Sequence, residues 1–514
     1  MVKKIIGPPG TGKTTRLISE MRSSGIPWDR IMFASLTKAT IIEARERAMK
    51  AGATAKELKW FRTQHSVNKA LIGVTKEKMY VDHFKDFAKL HNYRFKDVLK
   101  PSEISDLSIN TSFDGCDDAL VQVYDKARNL RVDPMVIVES LAALRPYRAS
   151  FVQFIERYEA WKDENDYFDF LDLIERGIKD RLVPPVDLIV LDEFQDSSPL
   201  LVEQARIWCE LVPKVIIAGD FNQAIYEFMG TRPALFKDFP ADETLTLTQS
   251  YRVPKAIAEK ALALIRENRG EEGCTFEPTD QEGMYIQMNN LYRAADAIKA
   301  SKNENSYFLL ARNRWQLSKA VALLRSEGVS CGGKKAELDA VTLCLSKPAI
   351  LTRYDMEVLI GELFPTTTTK NGLGCWERGA KAAIKKKIKD GFSPLPVSML
   401  RDIGATEDFV AALTTGQVPA GIKLTIEEIR YYENVVRRWG GKLDVVVPST
   451  IHAAKGREAD VVILLTGVSK RSYEGERFDQ TESERRIYYV AMTRTRKALI
   501  VIRDRMERYV TRMV

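Results

Sequence analysis

Eight residues near the start of the chain, Gly7-Pro8-Pro9-Gly10-Thr11-Gly12-Lys13-Thr14, read G-x-x-x-x-G-K-T. The pattern has meaning only between a strand and a helix, so it constrains the fold strongly. Val2 to Ile6 ahead of it is a short basic-apolar run. Behind it, Thr15 to Arg22 carries Leu17, Ile18 and Met21 at helical spacing. Glycines let backbone N–H groups curl around phosphate oxygens, and the new helix adds partial positive charge. Lys13 supplies a cation for the outer phosphates of a nucleotide, and Thr14 a hydroxyl for its Mg²⁺. Thr15 continues the first helical turn. A plain glycine turn is the blander reading, and the agreement of spacing with context weighs against it.

A chain of 514 residues exceeds one hydrophobic core, so two to four domains are expected. Its 45% hydrophobic and 29% charged residues are ordinary for a globular protein. The formal net charge of +8 is compatible with nucleic acid without requiring it. The six cysteines (116, 209, 274, 331, 344 and 375) never form C-x-x-C pairs, and with four histidines they give no zinc spacing. Reduced, structural cysteines in a cytoplasmic protein are the expectation. A core strand beginning at residue 2 leaves no room for an N-terminal signal. No apolar run reaches the ~18 residues of a membrane span.

Along the chain an α/β pattern is interrupted twice. Ile31–Ala34 reads as a strand, followed by an amphipathic helix through Met49. From about 66 to 165 the sequence is charged and helix-rich, with helices expected near Val67–Ile72, Met135–Leu144 and Phe151–Trp161. Val186–Leu191 and Lys214–Ala218 are apolar runs typical of buried parallel strands, separated by a helix near Leu200–Leu211. A second α/β stretch has a helix at Lys255–Asn268, a strand at Ser306–Leu310 and a helix at Gln316–Glu327. Residues 335–442 lose the rhythm, with a Pro-Thr-Asn-Gly loop near 364–374 and a lysine-rich helix at Ala380–Lys389. Strands return at Asp444–Val447, Val461–Leu465 and Leu499–Ile502. The expected class is α/β. Residues 1–65 with 166–248, and 249–334 with 443–514, form two parallel-sheet domains. Residues 66–165 and 335–442 are mainly helical insertions.

Asp192-Glu193 ends the 186–191 run, at the tip where open α/β sheets bind ligands. Asp192 suits Mg²⁺, and Glu193 suits orienting and deprotonating an attacking water. Alone, the pair is more simply an acidic loop; the P-loop reverses that judgement. Gln223, in Gly219-Asp220-Phe221-Asn222-Gln223, ends the next strand and is placed to sense a γ-phosphate. Arg252 and Arg494 are further γ-phosphate candidates, although a lone arginine is more often a surface ion pair.

Six stretches stand in one order: G-P-P-G-T-G-K-T, L-D-E-F-Q-D (191–196), G-D-F-N-Q-A-I-Y (219–226), Q-S-Y-R (249–252), T-I-H-A-A-K-G-R-E (450–458) and Y-V-A-M-T-R-T-R (489–496). Thr63-Gln64-His65-Ser66 and Tyr167-Phe168-Asp169-Phe170-Leu171-Asp172-Leu173 lie between the first two. Together they resemble the UvrD/Rep-like helicases of superfamily 1, over nearly all of the chain outside the two insertions. Q-A-I-Y and Q-S-Y-R resemble the UvrD branch more than the RecD/Dda-like branch. The resemblance implies two RecA-like P-loop motor domains, with ATP and Mg²⁺ in the cleft between them, and 3′→5′ movement on single-stranded DNA. Gly7, Pro8, Pro9, Gly10, Thr11, Gly12, Lys13, Thr14 and Thr15 then hold phosphate, and Thr14 and Asp192 hold the metal. Glu193 serves as base; Gln223, Arg252 and Arg494 serve as γ-phosphate sensors. Tyr251 stacks on adenine, and Gly456 and Glu458 lie near the sugar and metal. Lys38, Thr63, His65, Tyr226, Phe228, Arg312 and His452 fall at strand-contacting positions. Lysine and arginine neutralise phosphates there, and aromatics stack on bases at ~1–3 kcal/mol each. For the two histidines a buried, hydrogen-bonded imidazole is the competing reading, and for Phe228 core packing.

The chain departs from the family pattern in places. No adenine-reading glutamine motif precedes Gly7, Ser35 replaces a frequent phenylalanine, Phe228 a tryptophan and Met229 an arginine. The second insertion is short for the family's accessory subdomain. A translocase that strips proteins from DNA with little unwinding is therefore the alternative to a helicase, and a scaffold with a degenerate nucleotide site is a more distant one. Single-stranded DNA and its junctions with duplex are the expected partners of a monomer. RNA stays open, since stacking and phosphate contacts tolerate both sugars. Lys381, Lys385, Lys386, Lys387 and Lys389 form the densest charge cluster, either a duplex contact or a solvated helix face, with Trp376 as a packing anchor.

Overall fold

A computed structural model describes residues 1–95, 117–268, 275–301, 304–367, 374–477, 481–503 and 509–514. The first sheet contains β1 (Val2–Ile6), β2 (Ile31–Ser35), β3 (Phe61–Thr63), β4 (Leu188–Leu191), β5 (Lys214–Gly219) and β6 (Glu243–Thr246), in the order β3-β2-β4-β5-β1-β6. Every pairing is parallel. All four residues of β4 are buried, as expected of a central strand covered on both faces. The tips of β4, β5 and β1 are neighbours, which brings Asp192, Asp220 and the loop after Ile6 together.

The second sheet begins with β7 (Met284–Met288) and β8 (Tyr307–Ala311). An insertion follows, with the antiparallel pair β9 (Ile350–Leu351) and β10 (Leu395–Pro396). The sheet resumes with β11 (Val446–Thr450), β12 (Ala459–Leu465) and β13 (Thr495–Ile502), giving the parallel order β11-β8-β12-β13-β7. The core on one of its faces also takes in Ile225 and packs against Tyr226, both from the loop beyond β5. That loop therefore joins the two halves.

The expected helices form with shifted ends. The one expected to run to Leu144 stops at Ser140, and the one expected to reach Asn268 stops at Ile265. The first insertion is helical around an aromatic core that includes Phe84, Phe87, Phe154, Tyr158 and Trp161. In the second, Trp376 is fully buried and donates its indole N–H to Leu359 O at 2.8 Å. The helix Ala380–Asp390 turns Ile384 and Ile388 inward and leaves Lys385, Lys386, Lys387 and Lys389 exposed. Cys116, Cys274 and part of the 364–374 loop lie outside the described residues; Cys209, Cys331, Cys344 and Cys375 are free thiols. No helix among the described residues is long and apolar enough to cross a membrane.

Candidate nucleotide cleft and nucleic-acid face

The loop after β1 is built for close approach. A Cβ on Gly7 would lie 2.4 Å from Lys13 Cγ, and one on Gly10 2.5 Å from Arg252 Cβ, with Gly10 also at φ +74°. Only glycine fits either place. The helix Lys13–Ser23 starts at left-handed Gly12. Lys13 Nζ lies 3.5 Å from Glu193 Oε1 and 3.4 Å from Gly7 O. Burial opposes its charge, but Glu193, Asp192 and Asp220 outweigh that and hold its pKa above the ordinary value. Thr15 is exposed, and its hydroxyl accepts from Arg47 at 2.6 Å.

At the β4 tip, Asp192 Oδ1 accepts the Glu193 N–H at 2.9 Å, while its buried Oδ2 has no hydrogen-bond partner among the described residues. Burial and the neighbouring Glu193 push Asp192 upward; Glu193 is held low, because Lys13 and Lys455 overcome its own burial. Glu193 sits at φ +55°, a conformation that costs a non-glycine residue free energy and that clusters at functional sites. Gln195 braces it, donating to Glu193 at 2.5 Å while accepting the Asp220 N–H at 3.0 Å. Gln223 donates to Asp220 at 2.7 Å.

The second half meets this loop directly. Ser250 Oγ donates to Pro9 O, and Tyr251 N to Gly10 O, both at 2.8 Å. Arg252 pairs with Glu458, which also binds Arg496. Gly456, two residues before Glu458, turns the chain at φ +80°. Arg494 is 2% exposed; it donates to Gln223 Oε1 at 2.7 Å and to Val490 O at 3.0 Å. Among the described residues no carboxylate lies within salt-bridge distance of it. Burial and the nearby Arg252 charge pull its pKa down. Tyr251 is 76% exposed beside the loop.

The strand-side residues divide into three groups. Lys38 is exposed at the start of the helix Lys38–Lys50. Thr63 caps the helix Gln64–Ile72, accepting the Ser66 N–H at 3.3 Å, and Tyr226 is half-buried. Arg312 and His452 are engaged within the protein. The Arg312 guanidinium is taken up by Glu484 at 2.9 Å, and His452 is only 3% exposed. Desolvation drives such a ring toward its neutral form, and His452 falls well below the ordinary histidine range. The Phe228 side chain lies outside the described residues.

His65 is part-buried, edge-on to Phe170 with ring centroids 5.9 Å apart, and burial lowers its pKa to about 4. A histidine kept neutral by the fold contributes stability above its unfolded pKa, near 6.5, and loses it as pH falls toward 4. A His65→Gln variant should therefore show a flatter fall in Tm than wild type between pH 6.5 and 4. Parallel thermal curves for the two proteins would contradict the burial.

Sequence reasoning passed over Lys455, Asp196, Gln195 and Ser250. Lys455 Nζ lies 2.5 and 2.7 Å from the two Asp196 carboxylate oxygens and 2.5 Å from Gln223 O. Asp196 and Lys455 were both inside quoted motifs, but nothing in either motif says that they meet.

Two family models match the chain: the UvrD/REP helicase N-terminal domain over residues 2–244 and the UvrD-like helicase C-terminal domain over 438–505. DNA helicase II of Escherichia coli is 28% identical over 30% of this chain and 24% of its own length. ATP-dependent DNA helicase UvrD2 of Mycobacterium tuberculosis is 23% identical over 71% of this chain and 56% of its own. F-box DNA helicase protein 1 of Schizosaccharomyces pombe is 24% identical over 61% of this chain and 34% of its own. The chain thus spans about a quarter to about half of the length of these relatives. With both family models in chain order, the first over the phosphate loop and the second over Gly456, Glu458 and Arg494, the chain belongs to the UvrD/Rep-like helicases of superfamily 1.

Proposed function

We propose that this protein hydrolyses ATP between two RecA-like domains (1–65 with 166–248, and 249–334 with 443–514) and uses the cycle to move 3′→5′ along single-stranded DNA, unwinding duplex ahead. Arg494 is the observation that carries the reading. A buried guanidinium held only by neutral oxygens is costly unless an anion joins it. The γ-phosphate of ATP is such an anion, and Lys13 approaches from the opposite sheet. Glu193 accepts a proton from the attacking water, held by Gln195 and by its strained backbone. Gln223 and Arg252 complete the γ-phosphate surround, and exposed Tyr251 offers a face to the base. Asp192 and Thr14 would hold Mg²⁺, a fit supported by the orphaned Asp192 Oδ2. The ion, when bound, neutralises phosphate charge. Lys38, Thr63 and Tyr226 are the strand contacts this state leaves accessible.

The test compares ATPase without nucleic acid, with single-stranded DNA and with RNA, then strand displacement on 3′- and 5′-tailed duplexes. Stimulation by DNA and displacement from the 3′ tail are expected. Equal rates in all three ATPase conditions would overturn the proposal. Lys13→Ala should lower turnover at least ~10²-fold, the scale of losing one charge-stabilising donor, while single-strand binding by anisotropy survives. A second reading, translocation with scant unwinding, is favoured by the small insertion at 335–442, whose only sheet among the described residues is the β9–β10 pair. DNA-stimulated ATPase without displacement would select it.

A further inference from the structure

Lys455 is a single cation from the second half placed where three functions of the first half converge. It lies on the loop between β11 and β12, with its side chain 8% exposed. Its ammonium donates to both oxygens of Asp196, which is 4% exposed, and to the backbone carbonyl of Gln223. It also stands 5.3 Å from the centroid of the Tyr226 ring, whose hydroxyl donates to His452 O at 3.3 Å.

Each contact leads somewhere different. Asp196 closes the short turn Phe194–Asp196 that begins directly after Glu193, and Gln195 in that turn grips Glu193 itself. Gln223 reaches Arg494. Tyr226 is among the strand contacts proposed above. Moving the two halves apart would take the ammonium from three oxygens and an aromatic face at once. A buried charge cannot stay behind unpaired cheaply, so these groups shift together or not at all.

We propose that Lys455 is a positioning residue through which a strand engaged at Tyr226 sets the geometry of Glu193, making hydrolysis dependent on nucleic acid. The inference rests on the function proposed above and adds a route from strand to cleft. Lys455 touches no phosphate-binding atom, so its effect should fall on kcat in the presence of DNA and not on the KM for ATP.

The test measures ATPase of the full chain with and without oligo-dT for wild type, Lys455→Met, Lys455→Arg and Asp196→Asn. In Lys455→Met and Asp196→Asn the stimulation ratio should collapse toward one, with the KM for ATP within about threefold of wild type. Lys455→Arg, which keeps the charge and the donors, should regain at least a third of the ratio. Full stimulation in Lys455→Met, or a loss in KM equal to that in kcat, would overturn the inference. Equal loss in Lys455→Arg and Lys455→Met would also do so. Failure of the parent reading looks different: wild type itself would show no stimulation. Circular dichroism and single-strand binding of each variant identify a misfolded one, and Asp196→Asn then carries the test from the other side of the pair.

Discussion

Arg494→Ala should lower the rate of ATP hydrolysis by roughly 10³–10⁵, the range over which arginines act on a transferring phosphoryl group. The size follows from the setting. Arg494 is buried, aimed by bonds to Val490 O and Gln223 Oε1, and short of an anion among the described residues. Negative charge that grows on the γ-phosphate oxygens meets a cation already in place, in surroundings that screen it poorly. Arg494→Lys should recover little. An ammonium on a flexible stem cannot donate to both acceptors in a fixed plane, and burial makes it easier to neutralise. Single-turnover hydrolysis with saturating DNA is the measurement. Affinity for a non-hydrolysable ATP analogue should fall far less than the rate. A rate within tenfold of wild type in Arg494→Ala would remove the arginine from the chemistry, and with it the main support for a cleft-based motor.

The parts of the molecule legible from sequence are those in which chemistry is written locally. A phosphate loop needs glycines at fixed offsets, so Gly7 to Thr14 announces both the β1 tip and the helix behind it. β4 and β5 are readable because central parallel strands are apolar throughout. The edge strands β3, β6 and β7 were not, whereas the edge strand β11 was, two residues out of place. β6 is mostly exposed, and β7 has no buried residue, so neither shows the apolar run that marks a covered strand. β3 is three residues long. The shortened helices at Ser140 and Ile265 reflect the same limit, since periodicity continues past the point where the backbone turns.

Contacts made across the fold were hidden for a different reason. Lys455 and Asp196 are 259 residues apart, and an ion pair has no periodicity to betray it. Arg312 is a strand-contact candidate only through its position in the resemblance, which says nothing of its partner; Glu484 comes from 172 residues further on. His452 carried two readings of nearly equal merit, and burial favours the imidazole that is part of the core.

Arg128→Met should destabilise the join between the first insertion and the first sheet domain by about 3–5 kcal/mol, the cost of breaking a buried ion network from one side. Arg128, on the helix Asp118–Leu130, donates to Asp169, Asp172 and Glu175, each at 2.6 Å. Lys162, on the helix Arg148–Asn165, reaches Asp169 at 3.0 Å and Asp172 at 2.9 Å. The side chains of Arg128, Lys162 and Asp169 are all under one-tenth exposed. Asp169 and Asp172 also cap the helix Phe170–Lys179 reciprocally, so the motif Asp169-Phe170-Leu171-Asp172 is a helix start and an ion-pair socket together. Without Arg128, Lys162 alone faces the carboxylates. The first urea transition should move down by roughly 2 M, for a slope near 2 kcal/mol/M. Asp172→Asn placed on Arg128→Met should return part of the loss, because the amide oxygen still accepts the Asp169 N–H while one uncompensated charge disappears. In wild type, burial works against the Asp169 carboxylate, but Arg128 and Lys162 outweigh it and hold its pKa far below the usual range. In Arg128→Met the buried Asp169 loses that pull and takes up a proton at higher pH than in wild type, so the gap between the two proteins should be widest near pH 7 and narrow as pH falls toward 4. A gap below 1 kcal/mol at pH 7 would mean that the network is solvated and that the insertion is held by its aromatic core alone.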